Sequence, residues 1–267
     1  MQFSRAFRVP VLVLAASLAL TACQTNKGKK DQSYVARDVE TLYIVAKDTL
    51  EKREYKLAAA QFDEVERQHP YSVWARRAQL MSAFSYYVAG DFNEAVSSSQ
   101  RFLSLHPGSR EAPYAYYMIA ISYYEQISGV QRDQRTTQQA LDALGELIRR
   151  YPNTDYAADA RLKVDLARDH LAGKEMEIGR FYQNQGLYLA AISRFRAEIE
   201  NYDTTSHTPE ALHRLVESYL ALGIPEEAYK AAAVLGANYP GSEWYGRSYA
   251  LINKKAPGVA QGLPAKG

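Results

Sequence analysis

The stretch "RRYPNT", residues 149–154, stands between two segments that favour helix formation. Its proline ends a helix because proline cannot continue the hydrogen-bond ladder. Its threonine, two residues later, is a natural helix N-cap. Comparable stretches occur at "ERQHPYS" (66–72), "LSLHPGS" (103–109), "ENYDTT" (200–205) and "ANYPGS" (237–242). The five junctions indicate a repeated helical unit.

Residues around these junctions recur at fixed distances from a landmark position, which is Pro70, Pro107, Pro152, Asp203 or Pro240. The landmarks lie 37, 45, 51 and 37 residues apart. Small residues recur twelve before and eight after each landmark, and small residues let helices approach closely. A hydroxyl residue, a predicted N-cap, follows each landmark by two positions: Ser72, Ser109, Thr154, Thr205 and Ser242.

This pattern is typical of tetratricopeptide repeats, whose unit is about 34 residues long. We therefore predict an all-α tetratricopeptide-repeat solenoid of five helix pairs, beginning near residue 37. Gly90, Gly186 and Gly223 fall where the turn inside a pair belongs. The alternative is a helical bundle without repeats.

The two long spacings define the domain organisation. The first three repeats occupy residues 37–153, and repeat three contains an insertion from Glu125 to Thr137. Residues 154–253 hold a long linking helical segment and repeats four and five. Gly173 could break or bend the linking segment, so one helix and two helices both remain possible. Residues 254–267, with prolines, glycines and no periodicity, are expected to form a disordered tail.

The amino terminus carries a predicted export signal. Residues 1–22 have Arg5 and Arg8, an apolar run from Val9 to Leu20 and small residues before Cys23, which is the layout of a signal peptide. The apolar run is shorter than the roughly 20 residues that span a bilayer. "LTAC", ending at Cys23, resembles a bacterial lipobox. We predict that Cys23 is the lipid attachment point and that 23–36 is a flexible tether; the alternative is an ordinary signal peptide.

Composition argues against several functions. Without residues 1–22 the chain has 30 basic and 30 acidic residues, since the full count is 32 to 30 and two arginines are lost. No basic field for nucleic acid is therefore expected. The five histidines show no metal-ligand spacing, and neither a phosphate-binding loop nor a nucleophile motif is present. We predict no catalytic residue, no metal and no cofactor apart from diacylglycerol and an N-acyl chain on Cys23.

Tyrosine is abundant, with 21 residues against 8 phenylalanines. Tyr114, Tyr116 and Tyr117 lie on a first helix of a repeat, and such helices line the concave side of these solenoids. Tyrosine combines rigid apolar area with a hydroxyl, which suits peptide recognition. These three residues are candidates for a client-binding groove, and packing between helices is the alternative.

The lipobox, the five repeats and the segment "GVQRDQRTTQQALDALGELIRRYPNTDYAADA" (129–160) together resemble the BamD family, the tetratricopeptide-repeat lipoproteins of the outer-membrane barrel assembly machinery. The likeness covers residues 34–250. Asp203 departs from the family pattern, because the other landmarks are prolines.

The resemblance implies a scaffold at the periplasmic face of the outer membrane, with Gln24 after the lipidated cysteine favouring that membrane. Its expected partners are the POTRA domains of BamA, other lipoproteins of the complex and unfolded outer-membrane proteins. Arg194 matches an arginine at the BamA contact, and a pair with Glu198 in the same helix is the alternative. Arg132 and Asp133 are expected to order the insertion. The rival functions are a scaffold for cell-wall synthesis and a secretin pilot.

Overall fold

A succession of α-helices makes up the chain in a computed structural model that describes residues 38–130, 132–260 and 262–263. This part contains twelve helices and no strand, which confirms the all-α prediction. The signal peptide, Cys23 and the tether lie outside it. The helices are α1 (Val39–Glu51), α2 (Tyr55–Gln68), α3 (Val73–Ala89), α4 (Phe92–Leu105), α5 (Ala112–Tyr124), α6 (Arg135–Arg150), α7 (Asp155–Asn184), α8 (Tyr188–Tyr202), α9 (Thr208–Ala221), α10 (Pro225–Asn238), α11 (Glu243–Lys255) and α12 (Pro257–Ala260).

The landmarks lie where the sequence predicts helix ends. Helices α2, α4, α6, α8 and α10 each end one or two residues before a landmark. Consecutive helices pack against each other along the chain from α1 to α11. The number of repeats, five, stays a prediction.

The recurring positions form the core of this array. All fifteen residues at three columns, twelve before, eight before and eight after a landmark, have no exposed surface. They are Ala58, Ala95, Ala140, Ala191, Ala228, Phe62, Ser99, Leu144, Phe195, Ala232, Ala78, Ala115, Ala160, Ala211 and Ser248. Small side chains at these places let the helix backbones approach, so larger residues such as Phe62 and Phe195 fill the space between them.

The turns inside the helix pairs need a left-handed backbone. Gly90, Gly186 and Gly223 have φ of 80°, 74° and 73°, as their predicted turn positions require. The turn between α1 and α2 has Arg53 in the same conformation, at φ 65°. A residue with a Cβ is strained there, and sequence spacing alone does not reveal this fourth left-handed turn.

The predicted N-caps are correct in three places and wrong in two. Ser72, Thr154 and Ser242 accept hydrogen bonds from the backbone N–H groups of Ala75, Ala157 and Trp244 at 2.9, 3.2 and 3.3 Å. Ser109 and Thr205 are not N-caps, because α5 and α9 begin later, each with a proline in the first turn; Ser109 accepts instead from the N–H of Glu111, before the helix, at 3.3 Å. Proline fixes φ at a helical value and lacks the N–H that a cap would satisfy.

The linking segment is a single helix. Helix α7 has 30 residues, which corresponds to about 45 Å. Its first half packs on α6 through Ala160 and Leu144, and its second half packs on α8 through Met176 and Phe195. Gly173 does not break the helix. It is buried, and a Cβ there would lie 3.2 Å from the ring of His207 and 3.3 Å from Val130.

Two predicted irregular segments are shorter than expected. The insertion ends earlier than predicted, since α6 already begins at Arg135, whose N–H donates to the Asp133 carboxylate at 3.0 Å. The carbonyl of Arg132 accepts from the Gln134 amide at 3.0 Å. The predicted disordered tail is wrong for residues 254–260, which complete α11 and form α12. The hydroxyl of Tyr229 donates to the Gly262 carbonyl at 2.9 Å, which holds the chain against α10.

Within the described ranges, none of the helices combines the length and the apolar character that crossing a membrane requires.

Close packing at Gly179 gives a direct test of the fold. A Cβ at Gly179 would come 2.4 Å from the ring of Phe195, whereas a Cβ at Gly145, also inside a helix, would meet nothing within 4 Å. We expect Gly179→Ala to lower the free energy of unfolding by about 1–3 kcal/mol through overpacking. Gly145→Ala should raise it by about 0.5–1 kcal/mol. Urea unfolding measures both, and a stabilising effect of Gly179→Ala would contradict the packing described.

Candidate functional site

Helices α3, α5 and α7 lie side by side and form a groove of about 440 Å³, which we call the tyrosine groove. Helices α3 and α5 are the first helices of predicted repeats two and three, which are expected to line the concave side, and α7 is the linking helix. Its lining consists of Leu80, Arg110, Glu111, Pro113, Tyr114, Thr154 and Tyr156. The groove therefore combines an apolar and aromatic floor with one exposed arginine at its edge.

Tyrosines of α5 and α7 form the aromatic part of this groove. The ring of Tyr156 lies 5.7 Å from that of Tyr114 and 5.1 Å from that of Tyr117, between ring centroids. Burial raises the pKa of Tyr114 to about 12. The Tyr117 hydroxyl donates to Asp159 at 2.8 Å, and burial together with this hydrogen bond raises its pKa. Both hydroxyls stay protonated at neutral pH. Because Tyr117 already donates its one proton to Asp159, only the Tyr114 hydroxyl of the two can donate to a ligand.

Tyr116 lies apart from the other two predicted groove residues. Its ring packs against Tyr151 at 5.6 Å, and the guanidinium of Arg150 lies 5.4 Å from its centre. Tyr116 therefore joins α5 to the end of α6. The sequence proposed three neighbours on one helix, and the structure brings Tyr114 and Tyr117 together with Tyr156, which sequence reasoning did not select.

The edge of the groove carries a carboxylate, Glu111, and a guanidinium, Arg110. Glu111 accepts a hydrogen bond from the Ser109 hydroxyl, which is the first cause that lowers its pKa. Arg110 beside it is exposed, and its guanidinium suits a carboxylate because it offers paired donors. An extended peptide that ends in an aromatic residue and a free carboxylate matches this arrangement.

Arg194, the predicted partner-binding residue, lies on α8 and is about half exposed. Its Nη1 donates to the Glu175 carboxylate of α7 at 3.2 Å. The alternative pair with Glu198 does not form, because Glu198 is fully buried and accepts hydrogen bonds from Thr205 and Thr208. A guanidinium has five donors, so the bond to Glu175 leaves others for a partner's carboxylate.

Glu198 is a fully buried acidic residue, and its burial was not predicted from the sequence. One carboxylate oxygen accepts from the hydroxyls of Thr205 at 3.0 Å and Thr208 at 3.1 Å. The other oxygen, also buried, has no hydrogen-bond partner among the described residues. Burial raises the pKa of Glu198 to about 7, against the lowering effect of the two hydroxyls. The residue therefore titrates near neutral pH.

A charged network covers the corresponding face of the carboxyl-terminal helices. Arg214 pairs with Glu210 and Glu217 on α9, at 3.2 and 2.9 Å. Burial raises the pKa of Glu217, but hydrogen bonds from His213 and Arg214 outweigh it and bring the pKa to about 2. The network is internally paired, unlike the tyrosine groove. No set of three His, Cys, Asp or Glu residues in the described part of the chain could hold a metal ion.

Burial of Glu198 makes stability depend on pH. The protonated carboxyl is favoured in the folded state, so its contribution is complete below about pH 4.5 and is lost as the pH rises towards 7. Replacement by glutamine should therefore raise the free energy of unfolding by about 1–3 kcal/mol at pH 8 and leave it nearly unchanged at pH 4.5. Urea unfolding at the two pH values measures this.

The matched control is Glu200→Gln, on the same helix, whose side chain is exposed. It should change stability little at either pH. An equal effect of Glu198→Gln at both pH values would contradict the raised pKa.

Comparison with known proteins places the chain among outer-membrane proteins. A family model described as outer membrane lipoprotein (YfiO) matches residues 35–235. Outer membrane protein assembly factor BamD of Caulobacter vibrioides is 50% identical over 248 residues, which cover 93% of this chain and 81% of the relative. The protein of the same name from Rickettsia prowazekii is 45% identical over 240 residues, 90% of this chain and 94% of the relative.

Solved structures that resemble the chain are tetratricopeptide-repeat proteins. The TPR domain of P58(IPK) aligns with a TM-score of 0.41 and 16% identity, over 84% of this chain and 60% of that one. A TPR protein of Thermus thermophilus, TTC0263, aligns with a TM-score of 0.37 and 19% identity, over 80% of this chain and 99% of that one.

Proposed function

The chain belongs to the YfiO family of outer membrane lipoproteins, and we propose that it is a non-enzymatic scaffold that receives unfolded β-barrel proteins and helps to insert them into the outer membrane. Its relatives are named outer membrane protein assembly factors. In this proposal, acyl chains on Cys23 hold the scaffold at the periplasmic face, since several chains anchor a protein stably. The intact mass of the mature chain reports this lipid.

The tyrosine groove is the observation that carries the proposal. Unfolded barrel strands alternate apolar and polar side chains and expose unpaired backbone groups, which makes them prone to aggregate. Leu80, Tyr114 and Tyr156 offer apolar and aromatic surface to one face of such a strand. Arg110 at the groove edge offers a cation to a terminal carboxylate. The client is thus the carboxyl-terminal strand of a barrel protein, held until a barrel partner accepts it.

A synthetic peptide tests this assignment. The probe has about nine residues, alternates apolar and polar side chains, and ends in phenylalanine with a free carboxylate. We expect it to bind the intact chain in detergent, and Tyr114→Ala should weaken binding about tenfold because the groove loses its aromatic contact. The difference in affinity between the free and the amidated peptide should disappear in Arg110→Gln. Fluorescence anisotropy measures these affinities.

Tyr116→Ala is the matched control, since Tyr116 is a half-buried tyrosine of the same helix that packs on α6. Tyr116→Ala should remove a similar amount of side-chain packing without weakening the binding of the peptide. Equal weakening by Tyr114→Ala and Tyr116→Ala would exclude the groove as the client site.

The carboxyl-terminal helices supply the second part of the proposal, a contact with the POTRA domains of BamA. Arg194 is half exposed on α8, and its neighbour Glu175 fixes the guanidinium without enclosing it. A partner carboxylate can then form a bidentate pair with the remaining donors. Other lipoproteins of the assembly complex are further partners under this proposal.

Charge reversal at Arg194 distinguishes a specific contact with the POTRA domains from an effect of the net charge of α8. Arg194→Glu should reduce recovery of the POTRA-bearing barrel protein about tenfold when the lipoprotein is captured from detergent-solubilised envelopes, because two carboxylates would then face each other. Arg196→Glu, on the same helix and paired with Glu200, should leave recovery unchanged. Recovery of cell-wall synthases or a secretin in place of the barrel protein would favour the rival scaffolds.

A further inference from the structure

Helix α7 is twice as long as the helix that follows it. It has 30 residues and α8 has 15. The Arg168 guanidinium donates to the Asn201 carbonyl at 2.8 Å, which places the end of α8 beside the middle of α7. The first half of α7 packs on α5 and α6, and α8 stops before it reaches this half.

One face of that first half is left uncovered. Ala158, Arg161, Leu162, Asp165 and Leu166, which we call the uncovered face, are all exposed. Their spacing of three and four residues places them on a single side of the helix. Leu162 is 67% exposed and Leu166 is 60% exposed. In a continuous array the next helix would pack on such a face, as α8 packs on the second half.

A groove of about 490 Å³ borders the uncovered face at Leu166. Tyr124 and Ile127 add apolar surface from the end of α5 and the insertion loop, and Glu125 and Asp169 add carboxylates. Asp169 is occupied by the N–H and hydroxyl of Ser206 at 3.0 and 2.7 Å. Lys163 on the same helix pairs with Asp159 at 3.1 Å, and among the described residues no ion pair involves Asp165.

The charged side chains around the uncovered face determine which partner would complement it. Arg161 is the cation of the uncovered face, and it donates to the Pro152 carbonyl at 2.9 Å. Asp165 and Glu125 present carboxylates along the side that faces the insertion loop, whereas Asp169 is engaged by Ser206 and the Arg168 guanidinium by the Asn201 carbonyl. Apolar side chains flanked by carboxylates complement apolar side chains flanked by lysine or arginine.

We infer that the uncovered face binds a basic amphipathic α-helix of a partner protein, with leucine-like side chains against Leu162 and Leu166 and a lysine or arginine near Asp165. A helix fits this site because α8 packs on the second half of α7 in the same way and ends before it reaches the first half. The uncovered face runs from Ala158 to Leu166, which corresponds to about 13 Å or two and a half turns. Tyr156 and Asp159 of the same helix contact the tyrosines of α5 instead, so this site is separate from the tyrosine groove.

Photo-crosslinking in intact envelopes tests the inference. A photoreactive residue replaces Leu162 in the lipoprotein, and Leu105, an exposed leucine at the end of α4, is the control position. We expect Leu162 to crosslink to a different protein, at lysine- or arginine-flanked apolar residues of a helix identified by mass spectrometry. Leu105 should give no such product. A product with a second copy, with the chain's own amino-terminal residues or with lipid would overturn the inference, as would no product.

Charge reversal provides the second measurement. With the photoreactive residue at 162, Asp165→Lys should reduce the crosslink yield about tenfold, because it places like charges together. Asp142→Lys, an exposed change on α6, should leave the yield unchanged. Unchanged far-UV circular dichroism confirms that the variants fold. An undiminished yield in Asp165→Lys would show that the partner is not recognised by its positive charge.

Discussion

Close approach of neighbouring helices at small residues is the constraint on which this structure depends. The small residues twelve before and eight after each landmark, nine alanines and Ser248, are fully buried, and the space between the backbones admits little more than a methyl group. Where even that is too large the chain has glycine, as at Gly179 under Phe195 and Gly236 under Tyr245. Each helix therefore contacts mainly its neighbours, and the core is a series of clusters along the chain, as expected for a repeat protein.

This packing also determines where binding surfaces are left. Side chains of the first helices that point away from the small-residue columns form the tyrosine groove in the amino-terminal half. In the carboxyl-terminal half the corresponding positions are taken by Arg214, Glu210 and Glu217, which satisfy one another. One half thus offers apolar and aromatic surface with a free cation, and the other offers a polar surface already paired.

The columns and helix ends could be read from the sequence because each repeats five times and is set by local chemistry. Contacts between distant segments could not. Ser109 has the residue type and position of an N-cap, but α5 begins only at Ala112, with Pro113 in its first turn. The buried state of Glu198 depends on Thr205, in the turn after α8, and on Thr208, the first residue of α9, and no local sequence pattern fixes the path of the chain between them. Likewise, Tyr156 joins Tyr114 only because α5 and α7 become neighbours.

The continuity of α7 affects how the molecule unfolds. A helix of 12–15 residues is marginal in water without tertiary contacts, and each half of α7 is about that long. If the helices that pack on one half of α7 separate, that half loses its packing and frays. The other half is then a shorter helix with fewer backbone hydrogen bonds. A repeat array ordinarily lets its ends open independently. The shared helix couples them instead, so the two halves of the scaffold form one cooperative unit.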